Sequence, residues 1–577
     1  MKFLRVKMDE LKVYTEEVPE KYQKLAGRAL TSRLICDEVP ATCHPLGPKA
    51  KLFIAPGAVT GTSAPSSARV SVGGKSPLTW GIKEANAGTP VAQYLARLGI
   101  KALIIEGETK DGYWTLKVSK DAAKLEPAGD LVGKGLYEAY HALKERYPGA
   151  GFIACGPAAE RKLSMSGVCF SDTDGRPSRY SGRGGLGAVM AAKGIKFIVV
   201  DPAWTSPVVA ENRELFKTGQ AKLADAILTH PLSKPGGTLN TYGTAALINA
   251  LNEAGGLPTR NFRTGRFEGA AKISGERMAE VVKERGGAGM MGQGCHPGCT
   301  IKCSNVYPKP DGTELVSCIE YESDWALGAN CGIDDLDAIA EMVWHCNDLG
   351  IDTIEAGVTI GVAMEAGLLQ FGDAAGALAL FEEIRKGSAL GHILGQGAAF
   401  TGRAFGVVRV PTVKGQGMPA YEPRAVKGIG ITYITSPMGA DHTAGYTTAP
   451  EILSVGGKAD PLSNEGKADL SKAFQDTTAF IDMTGYCLFI AFPILDIASG
   501  FEGMVETVNA VLGTNFTGAD VAKFGGEIMS WERGFNRAAG MTSAHDRPPE
   551  FMRYEPLPPH NTVWDVPDEE LDKIAGN

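Results

Sequence analysis

The sequence predicts an α+β protein in which a β-rich N-terminal region is followed by two mainly helical regions. Short apolar runs such as AKLFIAPGAV and KFIVVD recur over residues 1–205, separated by Gly, Pro and Asp, as is typical of strands joined by turns. From about residue 208 the apolar residues recur at spacings of three and four, as in VVAENRELFKTGQAKLADAIL. That spacing indicates amphipathic helices.

Two seams divide the chain further. PAWTSP at 202–207 ends the β-rich part, and VPTVKGQGMPAYEP interrupts the helices near residues 410–420. A chain of 577 residues is also too long for one hydrophobic core. We therefore expect three domains, residues 1–206, 207–416 and 417–577. The sequence shows no internal repeat of fixed period.

The composition excludes several classes of protein. A hydrophobic fraction of 44% with 21% charged residues is typical of a packed soluble protein. The net charge of −8, from 58 basic and 66 acidic residues, and the lack of a basic block argue against nucleic-acid binding. No apolar run reaches the ~18 residues of a membrane span. The N-terminus alternates like a strand and lacks a signal-peptide core, so we expect a cytoplasmic protein with reduced thiols.

Three cysteines lie four residues apart in GCHPGCTIKCS: Cys295, Cys299 and Cys303. Pro297 and Gly298 within this run disfavour a helix. Thiolates on a bent loop can converge on one point, as an iron–sulfur cluster requires, and Cys487 is available as a fourth ligand. Zinc binding and ordinary free thiols remain alternatives.

A glycine-rich segment, GRGGLG at 182–187, precedes the helical run AVMAAK. It does not match GxGxxG, so a dinucleotide site is disfavoured. The turn could cradle a phosphate at the helix start, with Arg183 adding a bidentate contact. The alternative is a tight turn with no ligand.

Two further segments share one format, Asn347–Asp352 (NDLGID) and Asp482–Cys487 (DMTGYC). Each has an acidic or amide residue at a helix end, then two residues, a glycine suited to a left-handed cap, and a final polar or sulfur side chain. One copy would be an ordinary helix end. Two copies predict a pair of segments that hold two similar halves of a ligand.

Candidate proton-transfer groups are Glu320 and Glu322 in EYE, and His442 in GADHTAG. Histidine and carboxylates are the usual general acids and bases near neutral pH. A histidine in a glycine-rich loop can also be purely structural, and EYE can be a solvated strand edge.

Together these segments resemble the aldehyde:ferredoxin oxidoreductase family of tungsten enzymes over essentially the full length. The resemblance rests on their order and spacing rather than on any single motif. The residues that carry it are SAPSSARVSVGGKSPLT (63–79), EANAGTP (84–90), GRGGLGAVMAAKG (182–194), the cysteine run, EYE (320–322), GANCGIDDLDAIAEM (328–342), NDLGIDT (347–353), MPAYEPR (418–424), GADHTAG (439–445) and DMTGYC (482–487).

The resemblance implies a β-sheet base under a tungsten, or molybdenum, atom held by two pterin dithiolenes, with two helical domains covering it. It implies a [4Fe-4S] cluster on Cys295, Cys299, Cys303 and Cys487. Asn347, where the family usually has Asp, and Asp352, Asp482 and Cys487 fall in the pterin-gripping segments. The residues that match the contacts to the pterin phosphates and their bridging magnesium are Arg69, Asn86, Gly88, Arg183, Gly184 and Gly185.

The implied reaction is oxidation of an aldehyde to a carboxylic acid, with electrons passed to ferredoxin or a ferredoxin-like subunit. His442 with Glu320 or Glu322 matches the acid/base pair near the metal. A homodimer or hetero-oligomer is expected, and Glu341 and His392 fall where some members hold an iron between subunits.

The chain departs from the family at the cysteines, which have three residues in both gaps instead of two and then three. This departure suggests a separate branch with another substrate. One alternative is the tungsten subunit of a class II benzoyl-CoA reductase, for which Cys318 or Cys331 could ligate the metal. Another is a non-catalytic iron–sulfur electron carrier.

Overall fold

The β-rich region consists of two six-stranded sheets in the computed structural model, which describes residues 1–576. The strands of the first sheet are β1 (Lys2–Lys7), β2 (Lys12–Glu17), β3 (Leu52–Pro56), β4 (Arg69–Lys75), β5 (Ile82–Gly88) and β6 (Ile100–Glu106). Those of the second are β7 (Trp114–Val118), β8 (Ala123–Pro127), β9 (Gly151–Cys155), β10 (Val168–Ser171), β11 (Pro177–Ser181) and β12 (Ile195–Val200).

The two sheets have the same topology. Their spatial orders are β2-β1-β6-β3-β4-β5 and β8-β7-β12-β9-β10-β11. In each sheet the first strand pairs in parallel with the sixth, and every other pairing is antiparallel. The β-rich region is therefore a structural repeat, which a search for a fixed sequence period does not reveal because the loops differ in length.

The helices of this region repeat in the same way. Gly27–Glu38 and Leu136–Arg146 connect the second strand of each sheet to the third. Pro90–Arg97 and Leu186–Ala192 connect the fifth strand to the sixth. The sheets are largely apolar and buried, as expected of strands covered by helices.

The chain after residue 206 is mainly helical, so the predicted α+β class is confirmed. The longest helix, Gly518–Ala538, starts with a capping box formed by Thr517 and Asp520. The helices of seven or more residues are Arg213–Thr229, Leu247–Glu253, Gly275–Arg285, Tyr321–Leu327, Leu336–Leu349, Thr353–Glu365, Ala374–Lys386, Ala389–Gly395, Ala398–Phe405, Lys427–Thr435, Lys467–Thr484, Ala498–Leu512, Gly518–Ala538 and Asp568–Ala575.

A small antiparallel sheet flanks the cysteine run, which the helical pattern did not predict. It consists of β13 (Met290–Gln293), β14 (Ser304–Pro308) and β15 (Glu314–Val316). The run between β13 and β14 is not helical, as Pro297 and Gly298 indicated.

A short hairpin lies at the predicted seam near residue 410, formed by β16 (Thr412–Val413) and β17 (Gln416–Gly417). The division into domains 1–206, 207–416 and 417–577 remains a prediction. Among residues 1–576, none of the helices has the length and apolar character that crossing a bilayer requires.

Candidate active site

A cavity of 430 Å³ lies where both large sheets, the cysteine run and the two helix-end segments meet. Of the residues predicted for the pterin site, the cysteine cluster and proton transfer, all but two line it. Gly184 and Gly185 are not on its wall, and the Gly184 carbonyl accepts a hydrogen bond from Ser76 at 2.7 Å. The predicted residues that do line the cavity are Arg69, Asn86, Gly88, Arg183, Cys295, Cys299, Cys303, Glu320, Glu322, Asn347, Asp352, His442, Asp482 and Cys487.

The first half of the cavity pairs the first sheet with Asp482–Cys487. Gly485 ends the helix Lys467–Thr484 with φ +88°, which confirms the left-handed cap. The carbonyl of Gly485 accepts a hydrogen bond from Arg69 N at 3.1 Å. Asn86 Nδ2 donates to Asp482 Oδ1 at 3.2 Å. We call this arrangement the first half-site.

The second half-site pairs the second sheet with Asn347–Asp352. Gly350 ends the helix Leu336–Leu349 with φ +75°. Its carbonyl accepts from Gly167 N at 3.0 Å, and the Tyr180 hydroxyl donates to the carbonyl of Asn347 at 2.6 Å. The predicted pair of segments is thus matched by a pair of sheets.

The cysteine thiols gather at the edge of the first half-site. Cys487 is buried, and Cys295, Cys299 and Cys303 are half-buried. Sulfur atoms of Cys295 and Cys299 and a ring nitrogen of His296 lie within 4.8 Å of one another. Interaction with the Cys295 thiol lowers the pKa of Cys299, and the same interaction together with burial raises the pKa of Cys295.

Arg69 joins the thiols to the first half-site. Its guanidinium donates to Cys487 Sγ at 3.2 Å and to Asn86 Oδ1 at 3.2 Å. Nearby Gly88 has no room for a side chain, since a Cβ there would lie 2.9 Å from Cys295 Sγ. Arg69 and Gly88 therefore belong to the first sheet and also lie against the cysteine thiols.

Arg183 makes contacts that the sequence did not indicate. Its guanidinium donates to Asp352 Oδ2 at 3.0 Å and to the carbonyls of Ala440 and Gly417, each at 2.6 Å. It therefore ties the second half-site to two segments of the helical region. Any phosphate would have to share this guanidinium with protein acceptors.

Glu322 and His442 lie next to each other on the cavity wall, with Glu322 Oε1 3.3 Å from His442 Nε2. Burial raises the pKa of Glu322 to about 8 and lowers that of His442 to about 4. Glu322 Oε2 accepts from Ala420 N at 3.0 Å, whereas Oε1 and His442 Nδ1 have no hydrogen-bond partner among residues 1–576.

Glu320 is already engaged by other groups. Its two oxygens accept hydrogen bonds from Ser304 Oγ at 2.9 Å and Thr244 Oγ1 at 2.7 Å. The structure therefore distinguishes the two carboxyls of EYE, which the sequence could not. Glu341 and His392 are exposed and lie outside the cavity.

Several lining residues were not predicted from the sequence. Buried Arg28 donates to Asp482 at 3.1 Å and to Glu532 at 2.7 Å, and Arg179 and Asp441 also line the cavity. Arg28 lies in the helix Gly27–Glu38, whose first six residues are all buried, and it belongs to no recognised motif, so no local signal marked it. Of the two unpaired cysteines considered as metal ligands, Cys318 lines the cavity and Cys331 does not.

Comparison with known proteins identifies the family. Residues 3–202 match the family model described as aldehyde ferredoxin oxidoreductase, N-terminal domain, and residues 220–575 match domains 2 and 3. The chain belongs to the aldehyde ferredoxin oxidoreductase family. It is therefore a member of an oxidoreductase family, as the resemblance implied.

Individual relatives agree with this assignment. The tungsten-containing aldehyde ferredoxin oxidoreductase of Pyrococcus furiosus is 34% identical over 579 residues, which covers 96% of this chain and 92% of the relative. The enzyme of the same name from Thermococcus kodakarensis is 35% identical over 580 residues, with the same coverage. An aliphatic sulfonate oxidoreductase, WOR-like subunit, of P. furiosus is 24% identical, covering 98% of this chain and 90% of the relative.

A solved structure shares the fold. It is the active site complex BamBC of benzoyl coenzyme A reductase with 1,5-dienoyl-CoA, which aligns with a TM-score of 0.79 at 18% sequence identity. The alignment covers 99% of this chain and 92% of that one.

Proposed function

We propose that this chain oxidises an aldehyde to a carboxylic acid and passes the electrons through a [4Fe-4S] cluster to ferredoxin or a similar acceptor in the cytoplasm. The observation that carries the proposal is the placement of four thiols and the Glu322–His442 pair on the wall of one cavity. The relatives at 34% and 35% identity, which bear the name of this activity, support it.

The lining residues suit a cofactor that carries negative charge. Four arginines line the cavity, and within the described part of the chain Nε of buried Arg179 has no hydrogen-bond partner. Such guanidinium groups are the preferred partners of phosphates. Arg28, Arg69, Arg179 and Arg183 would hold a bis-pterin cofactor, and Asn86 and Gly88 would be among the residues that contact its phosphates and magnesium.

Tungsten or molybdenum held by pterin dithiolenes supplies two-electron redox chemistry and Lewis acidity when it is bound. The overall reaction is RCHO + H₂O → RCOOH + 2e⁻ + 2H⁺. The four thiols would hold the iron–sulfur cluster, and the lowered pKa of Cys299 favours the thiolate form that ligates iron. The Arg69–Cys487 contact links the cluster ligands to the cofactor residues.

Glu322 is the base in this proposal. Its free Oε1 can take a proton from the water that adds to the carbonyl carbon. His442 is neutral above about pH 4, so its Nε2 can hold the substrate oxygen or relay the proton over 3.3 Å to Glu322. With a pKa of about 8, the Glu322 carboxylate is a stronger base than an ordinary glutamate, and a fraction of it is still ionised at neutral pH.

The pH dependence of the reaction tests this role. Because the base must be ionised, kcat/KM with an aldehyde and a viologen dye should rise with pH to a midpoint of about 8. Glu322→Gln should lower kcat/KM ~10²-fold or more and remove this rise, while tungsten and iron contents stay unchanged.

Glu320→Gln is the matched control and should have a much smaller effect, since both oxygens of Glu320 are already hydrogen-bonded. Equal losses in the two variants, or loss of metal from Glu322→Gln, would contradict the assignment. His442→Ala should also lower turnover ~10²-fold without loss of metal.

A second candidate function is reduction of an aromatic CoA thioester. The Cys318 thiol on the cavity wall and the fold shared with the benzoyl-CoA reductase complex favour it. Purified protein that reduces an aromatic thioester but turns over no aldehyde would establish this candidate. Iron and sulfide without tungsten or molybdenum would instead indicate an electron carrier, which has no use for the Glu322–His442 pair.

The oligomeric state is also proposed from the resemblance to the family. We expect a homodimer or a complex with a ferredoxin-like subunit. The expectation of an iron between subunits concerns Glu341 and His392, both of which are exposed. Light scattering together with iron analysis of Glu341→Ala would test both expectations.

A further inference from the structure

One wall of the cavity is aromatic and reaches the protein surface. We call it the outer wall and define it as Phe474, Leu488, Phe489, Phe492 and Leu495, all of which line the cavity. Phe492 is buried, Phe474, Leu488 and Phe489 are half-buried, and Leu495 is exposed. The wall therefore runs from the interior to the mouth of the cavity.

The outer wall is continuous with the proposed acid/base pair. The Tyr446 ring lies between them, with its centroid 6.4 Å from that of His442 and 6.1 Å from that of Phe492. Phe492 stacks on Phe489 with centroids 5.8 Å apart and an interplanar angle of 15°. A substrate whose carbonyl lies at His442 would extend its other end along these rings.

Charge is distributed unevenly over the cavity. Among the described residues that line it, the arginines lie in the sheet region and the helix Gly27–Glu38. The lining residues between 474 and 495 include one charged side chain, Asp482, which is paired with Arg28. The outer wall therefore offers no cation to a phosphate, carboxylate or sulfonate at the far end of a substrate.

We infer that the outer wall selects an uncharged aryl aldehyde, such as benzaldehyde, whose ring packs against Phe489 and Phe492. This inference rests on the proposed aldehyde oxidation and adds its substrate class. Aromatic rings gain both from burial of apolar area and from offset stacking on other rings. Aldehydes with an anionic tail would lose their hydration without gaining a partner.

Kinetics of wall variants test the inference in the holoenzyme. Phe489→Ala should lower kcat/KM for benzaldehyde about 10-fold and change that for acetaldehyde less than about twofold. Leu495→Lys should raise kcat/KM for 4-formylbenzoate about threefold relative to benzaldehyde, because it supplies a cation at the mouth. Phe400→Ala, at an exposed phenylalanine outside the cavity, is the matched control and should change neither.

Binding of unreactive amides separates this inference from the proposed function. Calorimetry should show that the wild type binds benzamide more tightly than acetamide, and that Phe489→Ala removes the preference. If benzamide is preferred in this way but no aldehyde is oxidised, the proposed function is wrong and the inferred aryl-binding site is supported. If aldehydes are oxidised but Phe489→Ala affects benzaldehyde and acetaldehyde equally, or benzamide shows no preference, the inference is overturned.

Discussion

The two half-sites are built alike and differ in their side chains. In each, a glycine directly after the third strand of a sheet packs on a helix-end segment. Gly57 packs on Gly485, and Gly156 packs on Leu349 and Gly350. The segments end differently, in Cys487 and Asp352. Each of these last residues accepts a hydrogen bond from an arginine. Arg69 donates to the Cys487 thiol, and Arg183 donates to the Asp352 carboxylate.

The difference shows how one scaffold can take two roles. The repeated backbone gives the two half-sites a similar shape, while the final side chain of each helix-end segment decides which groups it contacts. A thiol in the first half-site joins the group of cysteines. A carboxylate in the second forms a buried ion pair that ties down the helical region.

The largest expected effect tests whether the two scaffolds are equivalent. A Cβ on Gly57 would lie 2.1 Å from Gly485 Cα, and one on Gly156 would lie 2.1 Å from the Leu349 carbonyl oxygen. Gly57→Ala and Gly156→Ala should each lower the free energy of unfolding by about 3 kcal/mol or prevent folding. Denaturant unfolding measures this, with Gly534→Ala, where a Cβ meets open space, as control. Markedly unequal losses would break the equivalence.

The second effect tests the division of roles. If the proposed [4Fe-4S] cluster is bound, Cys487→Ser should lower the iron and sulfide contents, because a hydroxyl is a poor ligand for iron. Asp352→Asn should leave iron unchanged but destabilise the fold by ~3 kcal/mol, since it removes the carboxylate paired with buried Arg183. Iron analysis and thermal unfolding of both variants decide the matter. An iron loss of similar size in Asp352→Asn would contradict the division.

The smallest effect concerns the first residue of each segment. The charge of Asp482 is compensated by Arg28, whereas Asn347 donates to the Ser317 carbonyl at 3.2 Å. Asn347→Asp should cost ~1–3 kcal/mol, because it replaces that donor with an anion facing a carbonyl oxygen. The conservative Asp482→Asn should be milder than Arg28→Ala, which leaves Glu532 unpaired. A stabilised Asn347→Asp variant would show that the two positions are interchangeable.

Local patterns in the sequence predicted much of the fold and many of the residues that meet in the cavity. The α+β class, the non-helical cysteine run and the two left-handed caps at Gly350 and Gly485 follow from period and turn chemistry, which act over a few residues. The duplicated sheet topology could not be predicted from these local patterns, because two sheets can share a strand order without sharing similar residues. The small sheet β13–β15 was missed because its strands are only three to five residues long, too short to show a clear alternation.

The sequence by itself determined which chemical groups this protein has: four candidate cluster thiols, two glycine-capped helix ends and a set of acids and bases. Only the tertiary structure decided how they are used. It separated Glu322 from Glu320 through their hydrogen bonds, placed Arg28 at Asp482 across 454 residues of chain, and set the aromatic wall beside His442. Hydrogen bonding and burial depend on distances in space, which spacing along the chain does not encode.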